Sequence, residues 1–202
     1  MNLSASPDRL NEDQPPVPLL ASFKSQAFRL FFESIEQKKN GHILDIGPVC
    51  GENINYFSCH IKKLSVCDMY FLLDQGRRKN LPFKQVLNHM VFSYQSFDGI
   101  LFWDLVDRLE DSEVIELVEF CYALTKPGGL VMLFALGEQS EHSVVGSFVI
   151  KENFTFCLNP KAHLELPLKI RNNRQLVNIL EPYKQVKSVL HPGGFREILI
   201  KR

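Results

Sequence analysis

Large apolar residues at Phe28, Phe31, Phe32 and Ile35 fall at i, i+3, i+4 and i+7, so they share one face of a helix that Lys38-Lys39-Asn40-Gly41 would stop. The period then changes. Ile43-Leu44-Asp45-Ile46 is a short apolar run that ends at Gly47, and beyond the turn Ile54, Phe57, Ile61 and Leu64 return to near-helical spacing. Leu64 to Cys67, ending in Asp68, and Phe97 to Trp103, running into Asp104, read as further strands. Val114, Leu117, Val118, Cys121 and Leu124 mark the clearest helix of the chain, with Asp111 or Ser112 placed to cap it and Lys126-Pro127-Gly128-Gly129 to end it before a buried strand over Leu130 to Ala135.

Strands that are near-continuous apolar runs and alternate with helices imply an α/β fold, doubly wound around a mostly parallel sheet. The tail departs from that rhythm. After a helix near Arg174 to Leu180, stopped by Pro182, the stretches Gln185 to Leu190 and Phe195 to Ile200 flank His191-Pro192-Gly193-Gly194, the pattern of an antiparallel hairpin closing the sheet. Residues 1–20, rich in Ser, Asp, Asn and Pro, read as a flexible lead-in to one domain over residues 21–202. The weak alternation at Phe154, Phe156 and Leu158 reads as a cover or substrate segment spanning residues 136–171, and Phe148, Phe154 and Phe156 are candidates for an apolar pocket or for core.

Composition narrows the function without naming it. Lys plus Arg and Asp plus Glu number 23 each among 202 residues, so no overall field favours nucleic acid or an anionic membrane, and Arg77-Arg78-Lys79 is too short for a phosphate-binding stripe. No nucleic-acid partner is expected. Five cysteines form no CxxC and no zinc-ligand cluster, so they are expected as reduced core thiols, with no metal site. No membrane span and no secretion signal are apparent, which makes the cytoplasm the expected compartment. His42, His60, His163 and His191 read as surface or turn residues, while His89 or His142 could reach the mouth of the sheet as a general base.

In an open α/β sheet, ligands sit beyond the carboxyl ends of the strands, where glycines at the strand-to-helix bend keep side chains out of the way. Gly47 and Gly51 occupy such a bend, and Asp68 ends the neighbouring strand, where a carboxylate can accept both hydroxyl hydrogens of a ribose. A dinucleotide fingerprint starting at Gly47 would need glycines where Val49 and Glu52 stand, and Glu52 would oppose a pyrophosphate at the helix start. No G-K-S or G-K-T follows a glycine loop, which excludes a nucleotide triphosphatase.

Asp45-Ile46-Gly47 with Gly51, the acid Asp68, "FDGILFWDLVDRL" from Phe97, "LTKPGGLVMLF" from Leu124 and the closing "GGFREILIKR" together resemble the class I S-adenosylmethionine-dependent methyltransferases over roughly residues 25–202. The resemblance implies a Rossmann-like, seven-stranded-type sheet with a C-terminal antiparallel hairpin. It places the methionine part of S-adenosylmethionine near Asp45, Gly47 and Gly51, with Pro48 and Asn53 in the same loop and helix start, the ribose on Asp68, and Met69 against the adenine. Phe102, Trp103 and Asp104 would face the sulfonium and the acceptor, with Asp104 and His142 as catalytic candidates. Asp107 reads as a surface or capping residue. Val49 stands where the family usually has a further glycine, and Asp104-Leu105-Val106-Asp107 stands where members acting on exocyclic amines carry N-P-P-Y. The implied activity is methyl transfer to a small-molecule or lipid-like acceptor; the alternative is a methyltransferase-like fold without turnover that serves as a binding or scaffold module.

Overall fold

The computed structural model describes residues 22–137, 145–161, 163–191 and 194–202. In chain order the elements are β1 (Phe23–Lys24), α1 (Gln26–Glu36), β2 (His42–Asp45), α2 (Gly51–His60), β3 (Lys63–Val66), α3 (Met69–Arg78) and α4 (Phe83–Leu87). They continue as β4 (Phe97–Trp103), a 3-10 turn over Leu105–Arg108, α5 (Asp111–Leu124), β5 (Thr125–Leu136), β6 (Gly146–Lys151), β7 (Thr155–Pro160), α6 (Asn173–Ile179), β8 (Lys184–Leu190) and β9 (Phe195–Lys201). Local chemistry sets the helix starts. The Ser25 hydroxyl accepts from the Phe28 N–H, Asp68 caps α3 by accepting from Phe71, and Asn172 with Gln175 forms a reciprocal capping box on α6. On α5 the cap is Glu110 paired with Glu113, one residue ahead of the Asp111 that the sequence suggested.

The main sheet has six strands in the order β3-β2-β4-β5-β9-β8. The first four run parallel, and β9 lies antiparallel between β5 and β8, so the expected closing hairpin is present. The chain between Asp68 and Phe97 forms α3 and α4, leaving β3 as the edge and the sheet at six strands rather than seven. α2 ends at His60, short of the apolar run that seemed to carry it to Leu64, because Ile61 turns to extended backbone and Leu64 pairs with Ile43 in the sheet.

Each face of the sheet carries its own apolar core. One gathers Tyr70, Leu73, Leu117, Cys121 and Leu176 under α3 to α6. The other gathers Phe28, Phe31, Phe57, Phe134, Phe148 and Phe156 under α1, α2 and a small second sheet. Burial of each such side chain contributes about 1.5–3 kcal/mol, so the two clusters hold the sheet between them. The second sheet, in the order β1-β7-β6, is an antiparallel hairpin turning at Asn153 and Phe154 with β1 added to its outer edge. The side-chain amide of Asn53 fastens this hairpin to α2: it donates to the Phe148 carbonyl at 2.9 Å and accepts from the Ile150 N–H at 2.8 Å.

Of the cysteines, Cys50 and Cys121 are buried, but Cys59 is exposed on α2, so the expectation of a fully core set does not hold there. His42, expected at the surface, is buried; its ring contacts the Ser96 carbonyl and the Ser65 hydroxyl, and burial holds its pKa below the usual imidazole value. No described helix is long and apolar enough to cross a membrane.

Candidate functional site

The carboxyl ends of β2, β3 and β4 lie side by side, and each is followed by an acid or ends in one. At the end of β2 the buried Asp45 accepts two hydrogen bonds on Oδ1, from the Gly47 N–H at 2.9 Å and from the indole N–H of Trp103 at 2.6 Å. Burial pushes its pKa up to about 6; the two donors pull against that shift, and the nearby Asp68 carboxylate adds to it.

Trp103 reaches Asp45 through an unusual backbone. The β4 to β5 register slips between Leu101 and Trp103, and Trp103 sits at φ 53°, a left-handed conformation that costs a bulky residue about 1–3 kcal/mol. The result swings the indole across the end of β2. A side chain at position 47 would meet Trp103 Cδ1 at 2.2 Å, which is why glycine is required there. The indole also lies parallel to Phe148, 4° apart in plane with ring centres at 6.0 Å, and Phe134 and Phe156 complete an aromatic box.

Gly51 has no such internal reason. A Cβ there would have no neighbour within 4 Å, so the space beside the first residue of α2 is open. Asp68 is bonded to the same loop. It is half-buried, its Oδ2 accepts from the Val49 N–H at 3.0 Å and its Oδ1 from the Phe71 N–H at 2.8 Å, so it ties the glycine loop to α3 while each oxygen keeps a lone pair. Val49 and Glu52 are exposed around it, and Lys161 from beyond the hairpin reaches the Val49 carbonyl.

The end of β4 is built differently. Asp104, expected at an open strand end as a catalytic residue, is buried with both oxygens engaged: Tyr70 donates to Oδ1 at 2.7 Å, and Arg108 donates to Oδ2 from Nε at 3.2 Å and from Nη2 at 3.0 Å. Burial and the Asp104 charge drive the Tyr70 hydroxyl pKa well above its ordinary value, so it remains a donor. Asp107, expected as a surface or capping residue, is fully buried; its Oδ2 accepts from the Leu136 N–H at 2.6 Å, and its Oδ1 has no partner among the described residues. Burial pushes its pKa up to about 7, the Leu136 N–H opposing and Asp104 reinforcing the shift. Arg171 locks the turn through the Val106 and Leu109 carbonyls and the Asp111 carboxylate.

Met69 and Phe102 are buried in the core beneath α3 to α6 rather than lining an opening, because both point to the packed face of the sheet. Pro48 is buried within the turn, and Asn53 spends its amide on β6. His142 lies outside the described residues; His89 is exposed after α4. Phe148 and Phe156 are core, and Phe154 is half-buried. The residues that sequence reasoning passed over are Tyr70, Arg108 and Arg171. Arg108 stands four residues after Asp104, a spacing that could have announced the pair, whereas Tyr70 and Arg171 reach the turn only through the fold. Near the end of β5, Leu136, Leu176, Leu190, Asn172, His191 and Arg196 line a cavity of about 500 Å³ that carries both apolar and cationic walls.

No family model and none of the curated proteins matches the sequence. Solved structures do match the fold. The N-methyltransferase NodS from Bradyrhizobium japonicum WM9 aligns with 88% of this chain and 92% of its own, at 13% identity and a TM-score of 0.52. A S-adenosylmethionine-dependent methyltransferase from Mesorhizobium loti aligns over 87% and 98% of the two chains at 11% identity and a TM-score of 0.51. The 1,6-didemethyltoxoflavin-N1-methyltransferase of Burkholderia thailandensis, solved with its substrate and S-adenosylhomocysteine, aligns over 88% and 78% at 15% identity and a TM-score of 0.50. The chain therefore has the Rossmann-like fold of the class I S-adenosylmethionine-dependent methyltransferases.

Proposed function

We propose that the chain binds S-adenosylmethionine beyond the ends of β2 and β3 and transfers its methyl group to a small-molecule or lipid-like acceptor. The observation that carries this reading is the half-buried Asp68, hydrogen-bonded into the glycine loop beside the open, internally unexplained Gly51. Asp68 would hold the ribose hydroxyls, and Glu52 at the start of α2 disfavours a phosphate but suits a cationic ligand. When bound, the cofactor supplies an electrophilic methyl group on a sulfonium. The chain's task is to orient the acceptor in line and to exclude water.

Proton removal would not fall to Asp104, which the Arg108 ion pair holds within the core. The cavity beside β5 is of a size for a small acceptor. Its leucines suit an apolar body, and Arg196, which among the described residues forms no ion pair, suits an anionic end. The 500 Å³ volume favours a compact molecule over a long lipid chain.

One observation favours the second reading, a methyltransferase-like binding module without turnover: the indole of Trp103 lies where the methionine part would rest on Gly47. Incubation with methyl-labelled S-adenosylmethionine and fractionated small molecules and lipids separates the two. Label appearing in an extractable product supports transfer. Tight cofactor binding with label retained only on the cofactor across all fractions supports the module.

A further inference from the structure

We propose that Trp103 governs access to the cofactor seat: its indole is a latch that occupies the ground above Gly47 and must leave for the cofactor's methionine end to settle. This rests on the cofactor reading above. Three independent features mark the indole as a placed part rather than ordinary core. Its backbone is held at φ 53°, where a large residue persists only if its surroundings demand it. Its N–H donates at 2.6 Å to Asp45, the acid that ends β2. It meets the glycine turn, which only glycine can supply at that distance, and Phe148, whose ring lies parallel to it at 4°.

The latch is also tied to the helix that would receive the cofactor. Phe148 belongs to β6, and Asn53 of α2 binds the Phe148 carbonyl and the Ile150 N–H, so the strand that carries Phe148 is fastened to the helix at the mouth of the seat. Displacing the indole removes one of the two donors on the buried Asp45, and a buried carboxylate left short of donors is costly. A ligand that opens the latch must return that hydrogen bond with a donor of its own, and an ammonium group does so with an opposite charge as well. S-adenosylmethionine and S-adenosylhomocysteine carry that group on the amino-acid end that would reach Gly47; adenosine lacks that end. The seat therefore discriminates by what replaces the indole N–H.

Trp103 is the only tryptophan of the chain, so its own fluorescence reports the state of the latch. The full chain is titrated with S-adenosylhomocysteine and, separately, adenosine, following emission, acrylamide quenching and heat. The same titrations are run on Trp103→Leu and on Phe148→Leu, which loosens the indole without touching the glycine turn. The expected result is a red-shifted and more quenchable indole when S-adenosylhomocysteine binds, at least tenfold tighter binding to Trp103→Leu, a smaller gain in Phe148→Leu, and no indole response to adenosine. Binding to Trp103→Leu or Phe148→Leu with none to the unaltered chain also supports the latch, as a closed one. Binding to the unaltered chain with emission and quenching unchanged overturns the latch and leaves the cofactor reading standing. Absence of binding to every folded form overturns the cofactor reading and the latch with it.

Discussion

Two turns leave neighbouring strands of the same sheet, and they treat their acids in opposite ways. After β4, Asp104 is met by a full guanidinium and a tyrosine hydroxyl, and the turn is clasped by Arg171. At the end of β2, Asp45 is met among the described residues only by an amide and an indole N–H, neither of which carries charge, and burial pushes its pKa up to about 6. The first turn is a closed piece of architecture. The second holds a buried acid with weak neutral partners, a strained tryptophan and an open glycine a few residues away, the features on which the proposed cofactor site rests.

Breaking the closed turn should cost most. Arg108→Met leaves the Asp104 carboxylate buried without its cation, and a loss of about 3–5 kcal/mol in urea unfolding is expected. A loss below about 1 kcal/mol would show that the β4 turn is no more rigid than the β2 turn.

The next largest effect is in the pH dependence. Asp107 is raised to about 7 from an ordinary value of 3.8, so the folded state holds a proton that the unfolded chain releases. Its contribution is greatest below about pH 4 and is lost as pH rises toward 7, at about 1.4 kcal/mol per unit within that window. Asp107→Asn should remove this slope, so that the variant gains stability over the native chain between pH 5 and pH 7; parallel unfolding curves at the two pH values would contradict it. Asp45→Asn should act in the same direction over the narrower window that ends near 6.

Gly47→Ala sharpens the comparison from the other side. The added methyl must displace the indole, with a loss of about 1–3 kcal/mol and a red shift of the single tryptophan. An unshifted emission would mean that the turn, not the indole, yields.

Much of the fold could be read from the chain because its β4, α5 and β9 segments have unambiguous periods, and each was located to within a residue or two. α3 and α4 were not legible, since Met69 to Leu87 mixes charged and apolar residues without a clean stripe and only the Asp68 cap announces the first helix. The glycine turn was visible as a motif, but its partner was not. That Trp103 rather than a ligand lies on Gly47 depends on a bulge and a positive φ, which no pattern of residue types encodes. Asp107 was misread because an acid beside an arginine looks like surface until the chain segment near Arg171 folds over it.

The smallest expected effect on stability belongs to Asp68→Ala, about 1 kcal/mol for a lost helix cap, and the same variant carries the most direct test. Calorimetric titration of the native chain and of Asp68→Ala with S-adenosylmethionine should give micromolar binding to the first and none to the second, with the variant still folded by its melting curve. Equal affinity in both, or no binding at millimolar cofactor to the native chain and to Trp103→Leu and Phe148→Leu alike, would contradict the account.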